Sequence, residues 1–94
     1  MFNLTQTYKN IDQALKQSNF NIFYAVKFFQ SETSINIAPD DFMQIINWIN
    51  IKLDQAEIDQ LMDSLRNSNK QINSEKFLRK IRIAHFSMVN IILQ

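Results

Sequence analysis

The sequence predicts an all-α domain, and three observations carry that prediction. Apolar residues recur at spacings of three and four along nearly the whole chain, which is the repeat of an amphipathic helix. No run alternates apolar and polar residues for the length of an ordinary strand. Helix-boundary residues (Pro39, Asp54 and Asn73) stand just ahead of three of the periodic segments.

The first helix is expected over residues 1–18, on the stripe Leu4, Tyr8, Ile11 and Leu15, with Asn3 and Gln6 as a capping box. It breaks at Ser18-Asn19. A second helix, Phe20 to Phe29, carries phenylalanine on more than one face and runs into the polar stretch SETSIN. Pro39 suits the first turn of a third helix, where its missing N–H costs nothing. Phe42, Ile46, Ile49 and Leu53 form the stripe of that helix, and Met43, Ile45, Trp48 and Ile51 widen its apolar surface. Asp54 with Glu57 reads as an N-cap and its partner ahead of a fourth helix, lined by Ile58, Leu61, Met62 and Leu65. The polar run from Arg66 to Gln71 ends it. Asn73 caps a fifth helix, on which Phe77, Ile81, Ala84, Met88 and Ile91 repeat.

Composition narrows the function. A chain of 94 residues makes one small domain, and 46% hydrophobic content with net charge +1 argues against a disordered tail or an electrostatic nucleic-acid binder. The chain has no cysteine, so disulfides and thiolate metal sites are excluded. It has no glycine either, which argues against a P-loop, a dinucleotide fingerprint or a nucleophile elbow. No segment reaches the roughly 18 apolar residues of a membrane span, and the N-terminus lacks the apolar centre of a secretory signal. The expected setting is intracellular: cytoplasm or cytoskeleton, with cilium, axoneme and mitochondrion also compatible.

The four helices from Phe20 onward fall into two helix–loop–helix units that can be laid over each other. In the first, Ala25-Val26-Lys27-Phe28-Phe29 leads to Gln30, Ile37 lies seven residues further on, and Phe42 follows five later. In the second, Glu57-Ile58-Asp59-Gln60-Leu61-Met62 leads to Ile72 and Phe77 at the same Ile-then-Phe spacing. This arrangement resembles an EF-hand pair of the calmodulin-like superfamily, over roughly Phe20 to Ala84. Arg66 follows Gln30 by 36 positions but Ile72 follows Ile37 by 35. The second loop therefore either starts at Arg66 and is one residue short, or starts at Leu65 and keeps twelve positions.

The resemblance implies a calcium site that the residues do not supply. Calcium takes about six to eight oxygens, from carboxylates early in the loop and a bidentate Glu at its end, with Gly at the tight turn. The first loop offers Gln30, Glu32 and Ser34 at its first, third and fifth positions, Ile35 at the glycine position and Asp41 at the last. The second has Leu65 or Arg66 first and Lys76 where the bidentate carboxylate belongs. No metal is expected, and these are vestigial positions. The resemblance further implies a short antiparallel contact between Ile37 and Ile72, and a hydrophobic surface for a partner helix.

Three other features read as structural. Asp63-Ser64-Leu65 matches a phosphopantetheine attachment triplet but ends a helix and precedes a basic-polar run instead of opening an acidic helix. His85, the single histidine, reads as a helix-face or core residue. Lys76, Arg79, Lys80 and Arg82 read as a solvated basic side, with contact to an acidic partner surface as the alternative.

The segment Ile83 to Leu93 is different. Apart from His85, Ser87 and Asn90 it is apolar on every side, and a small domain cannot enclose such a helix together with the wide Phe42–Leu53 face.

The expected organisation is an N-terminal helix (1–18), an EF-hand-like pair (19–85, hands about 20–52 and 54–85) and an apolar C-terminal helical extension (86–94). The expected function is a non-enzymatic, calcium-independent subunit without cofactor, in the manner of a light chain, docking on a helix or surface of a larger assembly. Met43, Trp48, Ile51, Met88, Val89, Ile92 and Leu93 are the expected contacts. The alternatives are a calcium- or magnesium-responsive protein using the first loop, and an unrelated small helical adaptor.

Overall fold

The computed structural model describes residues 4–31 and 33–93, with 88–93 described through the backbone alone. It is mainly helical, with one two-stranded antiparallel sheet. The order is α1 Leu4–Ser18, α2 Ile22–Phe29, β1 Asn36–Ile37, α3 Pro39–Ile49, α4 Gln55–Leu65, β2 Ile72–Asn73 and α5 Ser74–Leu93.

Local chemistry sets the helix starts. Asn21 Oδ1 accepts from the backbone N–H groups of Phe23 and Tyr24 at 3.1 and 3.3 Å. That cap starts α2 at Ile22, two residues later than the phenylalanine pattern suggests. Pro39 opens α3, with Asp40 and Asp41 in the favourable first turn. Asp54 Oδ1 accepts from Glu57 N at 3.4 Å. Glu57 makes no return bond to Asp54. Its Oε2 instead accepts from Thr7 Oγ1 at 3.1 Å, tying α4 to α1. Asn73 Oδ1 accepts from Lys76 N at 3.0 Å at the start of α5. Gln6 donates along its own helix to Asn10 Oδ1 at 3.0 Å, and Asn3, its expected capping partner, lies outside the described residues.

A chain without glycine must turn by other means. Among the described residues, Asn19, Asn50 and Lys70 take left-handed φ values of 55°, 61° and 63°. Asparagine tolerates this conformation comparatively well, and Asn50 uses it to end α3 with its N–H on the Asn47 carbonyl at 3.1 Å. Lys70 has no such aptitude. Its turn is held by Asn67 Oδ1, which accepts from the N–H groups of Asn69 and Gln71 at 2.9 and 3.0 Å.

The two loops meet through β1 and β2, with Asn36 opposite Asn73 and Ile37 opposite Ile72. Both isoleucines are buried. Phe42 and Phe77, which follow them at equal spacing, pack edge-to-face at 4.9 Å. Gln30, at the end of α2, precedes Ile37 by seven residues, whereas Arg66, at the end of α4, precedes Ile72 by six. From helix end to strand, the second connection is thus the shorter by one residue.

The first helix belongs to the same core. Its stripe Tyr8, Ile11 and Leu15 is buried with residues of α2 through α5, and its main packing partner is α5, followed by α3 and α4. Burying Ile11 and Leu15 contributes about 1.5–3 kcal/mol each. The face of the α3–α4–α5 group on which a foreign helix could lie is therefore covered by α1 from the same chain.

Candidate protein-binding surface

Several polar groups of both loops bond other groups of the protein. Gln30 Nε2 donates to Ser74 Oγ at 2.7 Å, and the same hydroxyl is donated to the Ile35 carbonyl. Ser34 Oγ accepts from Asn36 N at 3.1 Å. Asp41 stands half-buried in the first turn of α3, and Glu32 lies outside the described residues. In the second loop, Arg66 Nη1 pairs with Asp63 Oδ1 at 2.8 Å. Lys76 Nζ donates to the Ser64 carbonyl at 3.0 Å, at the end of α4. The Lys76 ammonium group thus bonds a carbonyl of α4 at the start of α5. Among the described residues no three His, Asp or Glu side chains group as a metal site.

The exposed surface is richer than the loops. Helix α2 buries Ile22, Ala25 and Val26 and presents Phe23, Tyr24, Lys27 and Phe28 outward. Tyr24 and Phe28 are 74% and 75% exposed, and Trp48 of α3 is 40% exposed beside them. The rings brace one another. Trp48 stacks on Phe29 with centroids 5.4 Å apart, and Phe28 meets Trp48 edge-on at 6.3 Å and Phe29 at 5.1 Å. Rings in such close mutual contact leave no space for a cation between them, so this is a surface and not an aromatic cage. Helix α5 adds Ile83 and Phe86, 57% and 58% exposed.

A groove of about 690 Å³ runs between the end of α1, the start of α2 and α5. Phe20, Phe23, Ile81 and Phe86 supply its apolar lining, and Lys16, Arg82 and His85 its polar lining. Arg82 lies over the Phe23 ring at 5.9 Å. Asp12, buried in α1, sits 3.4 Å from Lys16 Nζ and 3.3 Å from His85 Nδ1. This pairing joins α1 to α5 and gives the buried carboxylate the partners it needs. It also places His85 on a helix face.

Of the residues the sequence singles out for partner contact, Trp48 is open to solvent, whereas Met43 and Ile51 are half-buried against the core. The side chains of Met88, Val89, Ile92 and Leu93 lie outside the described residues, although α5 runs through them without a break. Ile37 and Ile72 are paired and buried. Sequence reasoning missed Tyr24 and Phe28. Their signal is an eight-residue helix with aromatic side chains on faces that one core cannot all absorb. The Asp12–His85 contact spans 73 positions and leaves no local trace.

No helix among the described residues is long and apolar enough to cross a membrane. Comparison with protein-family models, with curated proteins and with solved structures finds no match.

Proposed function

We propose that the chain is a non-enzymatic, calcium-independent protein-interaction subunit, built as a degenerate EF-hand pair with its first helix folded onto the pair. The observation that carries this reading is the exposed aromatic surface of Phe28 and Trp48, whose rings touch, with exposed Tyr24 one turn from Phe28 on α2, left open although α1 already packs on the core. Exposed large rings in mutual contact mark an interaction site more often than a solvated face. Two helix–loop–helix units joined at Ile37 and Ile72 support the EF-hand-like part of the reading. The loop polar groups that bond within the protein support its calcium independence. Since α1 covers the shared face of α3, α4 and α5, the partner docks outside the core, on α2 and α3 and along the apolar end of α5. The partner is a helix or surface of a larger assembly, cytoskeletal or ciliary complexes among them.

The test is retention of partners from the native source by the full chain and by the double variant Tyr24→Ser/Phe28→Ser, with and without a calcium chelator. A partner held by the wild type, lost by the folded variant and indifferent to chelation is the expected result. Equal retention by both proteins removes the aromatic surface from the function. Loss on chelation overturns calcium independence.

A further inference from the structure

A smaller pocket of about 270 Å³ lies where α1, α4 and α5 meet, away from the aromatic surface. Its charge is one-sided: Lys9, Lys76 and Lys80 line it, and among the described residues no Asp or Glu does. Lys76 and Lys80 stand one turn apart on α5, and Lys9 faces the same space from α1. Lys76 is fixed there by its bond to the Ser64 carbonyl. Gathering like charges beside an apolar wall raises the local potential and favours an anion.

A second observation points the same way. Tyr8, also part of the lining, is only 5% exposed, and its hydroxyl has no hydrogen-bond partner. The nearby Ser64 hydroxyl donates to the Leu61 carbonyl at 2.7 Å and is close enough to act on the Tyr8 phenol, but no hydrogen bond of ordinary geometry joins the two hydroxyls. A buried hydroxyl is normally satisfied, so an unpartnered one lining the same pocket as three lysines is a donor in want of a good acceptor. Burial also holds the phenol well above its ordinary pKa, which keeps it protonated and able to donate.

We propose that this pocket binds a phosphate group, held by the ammonium groups of Lys9, Lys76 and Lys80 with the Tyr8 hydroxyl as an additional donor. Lysine recognises phosphate as a point charge. The space is smaller than the roughly 300–1,000 Å³ of ordinary small-molecule pockets, so the ligand is the phosphate with little more than a short apolar attachment. Leu4, Ile83 and Ala84 would meet that attachment. A phosphorylated metabolite and a phospholipid headgroup share this chemistry. Bound there, the group would clamp α1 to α5.

The test titrates the full chain with inorganic phosphate, by calorimetry and by melting, against chloride at equal ionic strength. In parallel, it measures sedimentation with phosphatidic acid vesicles and with phosphatidylcholine vesicles. Phosphate is expected to bind and to raise the melting temperature. Lys9→Gln and the exposed Lys80→Gln should each weaken binding roughly tenfold. Tyr8→Phe should weaken it without lowering the melting temperature of the ligand-free protein. Binding to phosphatidic acid vesicles alone, lost in the same variants, assigns the site to a lipid headgroup. Failure to bind either probe overturns the proposal, as does binding that all three variants leave unchanged. None of these outcomes depends on the aromatic surface.

Discussion

The Gln30 side-chain amide donates to Ser74 Oγ at 2.7 Å, joining the end of α2 to the start of α5 across 44 positions. Ser74 is fully buried, and its backbone N–H bonds the Ile35 carbonyl at 3.2 Å, so one small residue holds both loops. Ser74→Ala would leave the Gln30 amide without its acceptor and take the hydroxyl from Ile35. Removing one partner of a buried hydrogen bond costs about 1–3 kcal/mol. Urea unfolding should register that loss; a change below about 0.5 kcal/mol would mean that Ser74 does not join the loops.

Ile72→Asp tests the β1–β2 contact directly. The substitution puts a carboxylate opposite Ile37 at a site with no solvent exposure. The expected loss is several kcal/mol, on the order of 3 or more. Wild-type denaturation behaviour in this variant would mean that the two loops are not joined there.

Calcium should leave the protein unchanged. Ligand binding to the native state alone raises its stability, and the proposed calcium independence rests on loop groups such as Gln30 and Lys76 being bonded within the protein. Thermal melts with micromolar calcium and with chelator are expected to superimpose. A rise of several degrees would reinstate the first loop as a metal site.

Alkaline pH should weaken the fold through Tyr8. Burial raises its phenol well above the ordinary tyrosine value of 10.0, and Ser64 opposes that shift only in part. The folded state then keeps a proton that the unfolded chain gives up near pH 10, so this contribution is complete below that pH and shrinks above it. Tyr8→Phe cannot ionise. Its urea midpoint should fall less than that of the wild type between neutral pH and about pH 11. Parallel losses in both proteins would assign the alkaline effect to the lysines.

Deleting residues 86–94 separates core from surface at the end of α5. The last buried residue described on that helix is Ala84, and Phe86 is largely exposed. The truncated chain should retain its helicity and cooperative melting while losing partner retention. Unfolding would place the segment in the core, and normal partner binding would remove it from the interface.

Much of this fold is written in local pattern. The stripes of α1, α3 and α4, the proline at the head of α3 and the Asn73 cap are each contained within a few residues. The Ile-then-Phe spacing is also legible, since both pairs must reach one core from equivalent turns. What could not be read is long-range. The Asp12–His85 pair, the Thr7–Glu57 bond and the position of Ser74 depend on which helices touch. The degree to which each surface residue is exposed is long-range too. Periodicity marks Met43, Ile51 and Phe28 alike as apolar, and only the packing of α1 and α2 decides which of them remains open.

The covering of the core by α1 has a consequence for how the chain is made. During synthesis, α1 leaves the ribosome well before α5, its main packing partner. Asp12 and His85 are 73 positions apart; at about 5–20 residues per second, that is a wait on the order of ten seconds. Until then the Tyr8–Ile11–Leu15 stripe has only α3 and α4 to meet, and it is a natural binding site for a chaperone. The nascent chain is most vulnerable to aggregation over that interval, and stalling translation before α5 emerges should prolong it.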